Sequence, residues 1–154
     1  MAETAETQTA GLSAPHVLEY PYTRSVGPVI GRFLGGLRDR KIEGIRTKDG
    51  HVLVPPAEYD PVTSEALNEF VEVGQAGVVK TWAWVSEPRP KHPLDRPFSW
   101  ALIQLDGADT ALLHAIDAGD ESKMSTGMRV QVRWREETVG MITDIECFEP
   151  ETSS

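Results

Sequence analysis

The chain has 154 residues, 40% of them hydrophobic, and carries a formal net charge of −9, enough for one domain core with a modest appendage. So acidic a protein repels phosphate backbones, which sets generic nucleic-acid binding at a disadvantage. The single cysteine, Cys147, excludes an internal disulfide framework and a Cys-rich zinc site. No run of about 18 apolar residues reads as a membrane span, and Met1-Ala2-Glu3-Thr4 does not open a basic-then-apolar leader. The expectation is a cytoplasmic protein with no membrane contact.

Residues 1–21 read as a disordered or extended tail, rich in Ala, Thr and Glu at its start and punctuated by Pro15 and Pro21. Ser25 reads as the N-cap of a helix running from Val26 to about Lys41, with Pro28 tolerated in the first turn. Its apolar stripe is Val26, Val29, Ile30, Phe33, Leu34 and Leu37. Gly27, Gly31 and Gly35 recur on a neighbouring face and cost helix stability, each about 1 kcal/mol against Ala. Such a row lets another backbone approach closely, either the chain's own barrel or a partner. Flanking charges such as Arg32, Arg38 and Asp39 exclude a bilayer.

Residues 22–74 are read as this helix plus a loop-rich ribbon. It has a turn at Lys48-Asp49-Gly50-His51, a short strand at Val52-Leu53-Val54 stopped by Pro55-Pro56, a second turn at Asp60–Ser64 and a brief strand at Phe70–Val73. Residues 75–150 read as five strands: Gly77–Val85, Phe98–Leu105, Thr110–Ile116, Met128–Arg135 and Ile142–Phe148, followed by a polar tail at 151–154. Asp106-Gly107 between two apolar runs is a hairpin signal. In the fourth strand Met128, Val130, Val132 and Trp134 alternate with Arg129, Gln131, Arg133 and Arg135, which predicts one buried face. Five strands with a longer link after the third suit an OB-type Greek-key barrel.

On these features the chain resembles a known family, the acyl-CoA-associated OB-fold proteins called domain of unknown function 35. The resemblance runs from about Tyr22 to Pro150. It is carried by Gly50 with Pro55-Pro56, by Phe98-Ser99-Trp100-Ala101-Leu102-Ile103-Gln104-Leu105-Asp106-Gly107, and by Gly127-Met128-Arg129-Val130. It implies a mainly β fold: a helix, a rubredoxin-like ribbon and a five-stranded barrel. The family's ribbon usually carries two Cys-x-x-Cys knuckles; here those positions read Arg46-Thr47-Lys48-Asp49 and Asp60-Pro61-Val62-Thr63. Arg46, Asp49, Asp60 and Thr63 do not make a tetrahedral set of N or S ligands. The expectation is a metal-free ribbon held by turn chemistry and by an Arg46–Asp60 or Arg46–Asp49 ion pair.

The resemblance further implies a non-catalytic accessory subunit. Its partner would be a lipid-transfer-protein-like thiolase acting as an acyl-CoA retro-aldolase in steroid side-chain or lipid degradation. The two would form a hetero-oligomer, a heterotetramer among the options, sharing a coenzyme A thioester without holding any cofactor firmly. The surfaces expected to meet the partner are the helix residues Val29, Ile30, Gly31, Phe33, Leu34, Gly35 and Leu37, with Trp82 and Trp84 of the first barrel strand. The loop Pro88–Pro97 gathers Arg89, Lys91, His92 and Arg96, with Asp95 its one acid. It reads either as a solvated loop or as a contact for CoA phosphates or an acidic patch.

Other readings stand beside this one. Trp82, Trp84, Trp100 and Trp134 could stack bases, as in OB barrels that bind single-stranded nucleic acid, but the basic groove that mode needs is thin here. An enzyme acting on acyl-CoA by itself would need an acid–base pair or a nucleophile motif. The histidines, His16, His51, His92 and His114, show no such spacing. His114 reads as a structural strand residue and Cys147 as an inert buried thiol.

Overall fold

A computed structural model describes residues 11–152; of the tail expected at the N-terminus, residues 1–10 lie outside the described residues. Residues 11–25 follow an exposed path without regular structure. Helix α1 spans Gly27–Arg38. Val26 occupies the cap position, while Ser25 Oγ accepts from the Gly27 amide at 3.3 Å, so the predicted capping residue acts one place early. Val29, Phe33 and Leu37 are buried. At four-residue spacing they form the narrow stripe a helix turns toward a core.

The ribbon is a three-stranded antiparallel sheet: β1 Glu43–Arg46 at the centre, flanked by β2 Val52–Leu53 and β3 Glu69–Glu72. β1 is a strand that sequence reading left inside a loop. It is only four residues long and includes Gly44, where an added Cβ would lie 2.8 Å from the Leu53 carbonyl. Neither predicted ion pair of Arg46 forms. Arg46 instead lies opposite Glu69 in the β1–β3 register and pairs with it at 2.9 Å, because cross-strand neighbours on one face meet first. Turn chemistry does the rest. Buried Asp60 accepts the Val62 and Thr63 amides at 2.8 and 3.1 Å, and Thr47 Oγ1 accepts the His51 amide. Lys48 and Glu65 tie the two knuckles together.

The barrel comprises β4 Ala76–Val85, β5 Phe98–Leu105, β6 Leu112–Ile116, β7 Arg129–Trp134 and β8 Ile145–Pro150, closed in the order β4-β5-β6-β8-β7. This is the five-stranded OB-fold expected. Neighbours are antiparallel except β6 and β8, which are parallel and meet at a single register, Ile116 opposite Phe148. β4 pairs with both β5 and β7, and a register shift between Val79 and Thr81 bends it between them. Gly77 permits the closest crossing, since a Cβ there would stand 2.3 Å from the Gln104 carbonyl oxygen. Val79, Ile103, Leu105, Ile116, Val130 and Phe148 fill the interior.

Two predicted strand starts shift by more than one residue. β6 begins at Leu112 rather than Thr110, because Thr110 Oγ1 is engaged by the ribbon, accepting the Val54 amide and donating to the Val54 carbonyl. β8 begins at Ile145 rather than Ile142, because Ile142–Asp144 is a 3-10 turn.

Candidate functional site

The ribbon, helix and barrel share one core: Phe33, Leu37, Ile42, Val52 and Val54 belong to the same cluster as Ile103 and Phe148. A second cluster, Val29, Ile45 and Leu67, seats the helix on the ribbon, where the Arg32 guanidinium lies 4.1 Å over the Phe70 ring. The helix C-terminus grips the β7–β8 loop, with Thr138 Oγ1 donating to the Arg38 carbonyl at 2.7 Å and Arg40 donating to the Glu136 carbonyl at 3.0 Å.

This packing corrects the expected interface. Val29, Phe33 and Leu37 are spent on the chain's own core and cannot meet a partner. Ile30, Leu34, Gly31 and Gly35 stay at least partly open, and nothing outside the helix lies within 4 Å of a Cβ placed on Gly35. The glycine row therefore is not where the barrel packs. Trp82 and Trp84 are half-buried against the barrel core. Register explains this: Trp82 sits opposite buried Ala101, on the inward side of the β4–β5 ladder.

The loop between β4 and β5 folds back over the outside of the barrel. Leu94 covers Phe98, Ala115 and Cys147, with Trp100 packed alongside. His92 sets its ring edge-on to Phe98 and Trp100 at 5.5 and 6.5 Å, and its Nδ1 accepts the Arg89 amide at 3.1 Å. Of the four expected anion contacts, two are already engaged. His92 is a packing residue, and Arg96 binds Asp117 at 2.6 Å, with Asp95 at 3.5 Å. Arg89 and Lys91 are exposed and form no ion pair among the described residues. Asp117 also accepts from Arg133 at 3.0 Å, and Arg133 reaches Glu146 and Glu149. Burial pushes the Asp117 carboxyl up, but Arg96 and Arg133 hold it below the usual range.

The β7–β8 loop is fixed by Asp144, 1% exposed. Its carboxylate accepts the Val139, Gly140 and Met141 amides at 2.9, 2.7 and 3.1 Å. Burial opposes the charge there, yet those three donors, with Arg38, keep the carboxyl below its ordinary value. Sequence reading passed Asp144 over; its signal was an acid four residues past Gly140 of the Val139-Gly140 turn.

Between these two loops β6 and β8 separate, because their ladder is a single residue pair. A cleft of about 400 Å³ opens there, lined by Lys91, Trp100, Leu113, His114, Arg135 and Ile142, among others. In an OB barrel this is the end where the second and third strands and their flanking loops take ligands. His114, 6% exposed, packs edge-on to Phe148 at 5.5 Å between ring centroids, and its Nδ1 has no hydrogen-bond partner among the described residues.

His51 is exposed, 4.0 Å from Asp109; His92 and His114 are placed as above. Cys147 is buried and its thiol is pushed up to about 11 by that burial, far from thiolate chemistry. The zinc that the resemblance implies for such a ribbon does not fit these knuckles. Arg46 cannot ligate, Asp60 is occupied by its own turn, and among the described residues no group of three or more His, Cys, Asp or Glu side chains could hold a metal ion. Among them also, no helix is long and apolar enough to cross a membrane.

The family model described as the ChsH2 C-terminal OB-fold domain matches residues 70–135. No curated protein matches the sequence. A chain of the Ltp2-ChsH2(DUF35) aldolase superposes with TM-score 0.61 at 19% identity, over 83% of this chain and 98% of that one. A DUF35-family protein of unknown function from Sulfolobus solfataricus superposes with TM-score 0.57 at 23% identity, over 70% of this chain and 77% of that one. Strand order, the parallel closure of β6 on β8 and these matches agree on the fold: a five-stranded OB barrel whose residues 70–135 are similar to the ChsH2 C-terminal OB-fold domain.

Proposed function

We propose that this protein is a non-catalytic accessory subunit that binds and stabilises a thiolase-superfamily, lipid-transfer-protein-like enzyme. The partner cleaves a carbon–carbon bond of a β-hydroxyacyl-CoA by retro-aldol chemistry, in the degradation of a steroid side chain or another lipid. The observation that carries this reading is the superposition on a chain of the Ltp2-ChsH2(DUF35) aldolase, which is covered over 98% of its length. The open glycine row supports it. Four glycines in a 12-residue helix weaken it, and among the described residues a Cβ on Gly31 would meet only Val26 Cγ2, at 4.0 Å, and one on Gly35 nothing within 4 Å, so internal packing does not offset that cost. In this reading Ile30, Leu34, Gly31 and Gly35 meet the partner, while Arg89 and Lys91 of the β4–β5 loop, in no ion pair among the described residues, contact CoA phosphates or an acidic patch on the enzyme. The assembly is a hetero-oligomer, with two copies of each chain the simplest closed form around a dimeric partner.

Co-purification from the native cell extract, with the captured protein identified by mass spectrometry, tests the partner. Cleavage of a β-hydroxyacyl-CoA should require both chains. Gly31→Leu with Gly35→Leu should abolish capture while the isolated chain stays folded. Capture of no thiolase-superfamily enzyme, or turnover by the isolated chain, overturns the reading.

A further inference from the structure

Of the cleft between β6 and β8, only Lys91 at its rim enters that reading; the walls and His114 have no part in it. Its walls are apolar: Trp100 and Leu113 on one side, Ile142 and Ile145 on the other. Leu113 is 59% exposed and Ile142 40%, unusual for large aliphatic side chains on the surface of so acidic a protein. At the rim stand Lys91 and Arg135, both exposed and neither in an ion pair among the described residues. Glu146, the acid that also lines the cleft, is already bound to Arg133 at 2.7 Å. Unopposed positive charge is thus gathered at one mouth of a molecule with net charge −9.

His114 makes the cleft more than a greasy dent. It is more than nine-tenths buried, lines the cleft, and leaves Nδ1 unpartnered. Leaving a buried polar atom unpaired is costly in a packed interior. Burial also holds the imidazole below its ordinary value, against the backbone of Ala115 and Ile142, which raises it. A neutral imidazole nitrogen is satisfied by one hydrogen bond from a group able to donate or accept, such as a hydroxyl or an N–H.

We infer that the β6–β8 cleft is a binding site for a small amphipathic anion: an aromatic or branched aliphatic body seated against Trp100, Leu113 and Ile142, a hydroxyl or N–H at His114, and a carboxylate, sulfonate or phosphate held by Lys91 and Arg135. The volume is within the range of sites for molecules of that size. The charge pattern selects an anion, and the apolar walls select against a hydrated inorganic one. A continuous basic track, which a nucleic-acid strand would need, is missing from the walls.

The test uses the full chain and two dyes of one shape, 8-anilinonaphthalene-1-sulfonate and its uncharged analogue N-phenyl-1-naphthylamine. Both should bind saturably at one site per chain, with energy transfer from tryptophan. Lys91→Ala with Arg135→Ala, two exposed side chains, should weaken the sulfonate dye about tenfold and the uncharged dye less than about twofold. Leu113→Asn, also exposed, should weaken both. Titration of either dye should move the imidazole ¹⁵N resonances of His114 and leave those of His16 and His51 in place. Non-saturating binding, binding indifferent to all three substitutions, or displacement of the dye by an oligothymidylate or by the co-purified partner enzyme would overturn the assignment. The dye experiment reads the isolated chain and co-purification reads the complex, so failure of one leaves the other standing.

Discussion

The ribbon and the barrel are both small antiparallel constructions, but they are held by different forces. The barrel closes its hydrogen-bond ladder on itself and fills its middle with Phe148, Ile103, Ile116 and Val130, each essentially inaccessible to water. The ribbon has three short strands, two of them edges, and little interior of its own. It borrows the barrel's core through Val52 and Val54, and is stapled by Asp109 Oδ2 accepting the Val52 amide at 2.7 Å and by Thr110. Its two knuckles are held by turns, by the Lys48–Glu65 ion pair and by a neighbour. The contrast teaches that a small sheet with little interior can be held by leaning on a larger core.

Removing barrel volume should have the largest effect. Phe148→Ala should cost about 3–5 kcal/mol, and because the core is shared, urea should unfold both regions in one transition. A ribbon that melts separately would break the comparison. Thr110→Val should cost about 1–3 kcal/mol by leaving the Val54 amide and carbonyl unpaired. Hydrogen exchange should then show protection lost in β2 and kept in β5.

Asp144 offers a pH test on the barrel side. Its folded pKa lies below its unfolded one. Its stabilisation is therefore complete above about pH 4 and is lost as pH falls through the folded value. Asp144→Asn should cost about 1–3 kcal/mol at neutral pH and flatten the acid limb of the stability curve. An unchanged acid limb would reassign the anchoring of the β7–β8 loop. In the helix, Gly35→Ala should raise the stability of the isolated chain by about 1 kcal/mol, since the position is open. A loss would mean that the row packs internally after all. The smallest effects belong to the ribbon's surface. Arg46→Ala should cost less than about 1 kcal/mol in thermal melts, and a chelator should leave the melting temperature unchanged; a shift would point to a metal in the knuckles.

Much of the barrel was legible in the residues. Strict alternation along β7 assigns its faces because a strand's side chains alternate by geometry. Asp106-Gly107 marks its hairpin because Gly107 adopts φ +90°, a region that costs other residues energy. The ribbon was less legible. Four-residue strands carry too few positions for a period to show, and β1 was missed for that reason. Arg46 could be placed in a knuckle from sequence, but its partner Glu69 lies 23 positions away and is chosen by strand register. The candidate site was the least legible part. Of its cationic residues, Lys91 was singled out in a loop, whereas Arg135 passed as one of four outward side chains of a strand.

The order of apolar and polar residues by itself determined that this chain closes a β-barrel, starts from an amphipathic helix and lacks thiolate ligands, because each of those follows from neighbours in sequence. Only the tertiary structure decided that Val29, Phe33 and Leu37 are inside, that Arg96 is neutralised by Asp117, and that His114 stands unpaired in a cleft. Those outcomes depend on which distant strands touch and where they part. The single β6–β8 contact at Ile116 and Phe148 creates the opening, and no local pattern encodes where a ladder stops.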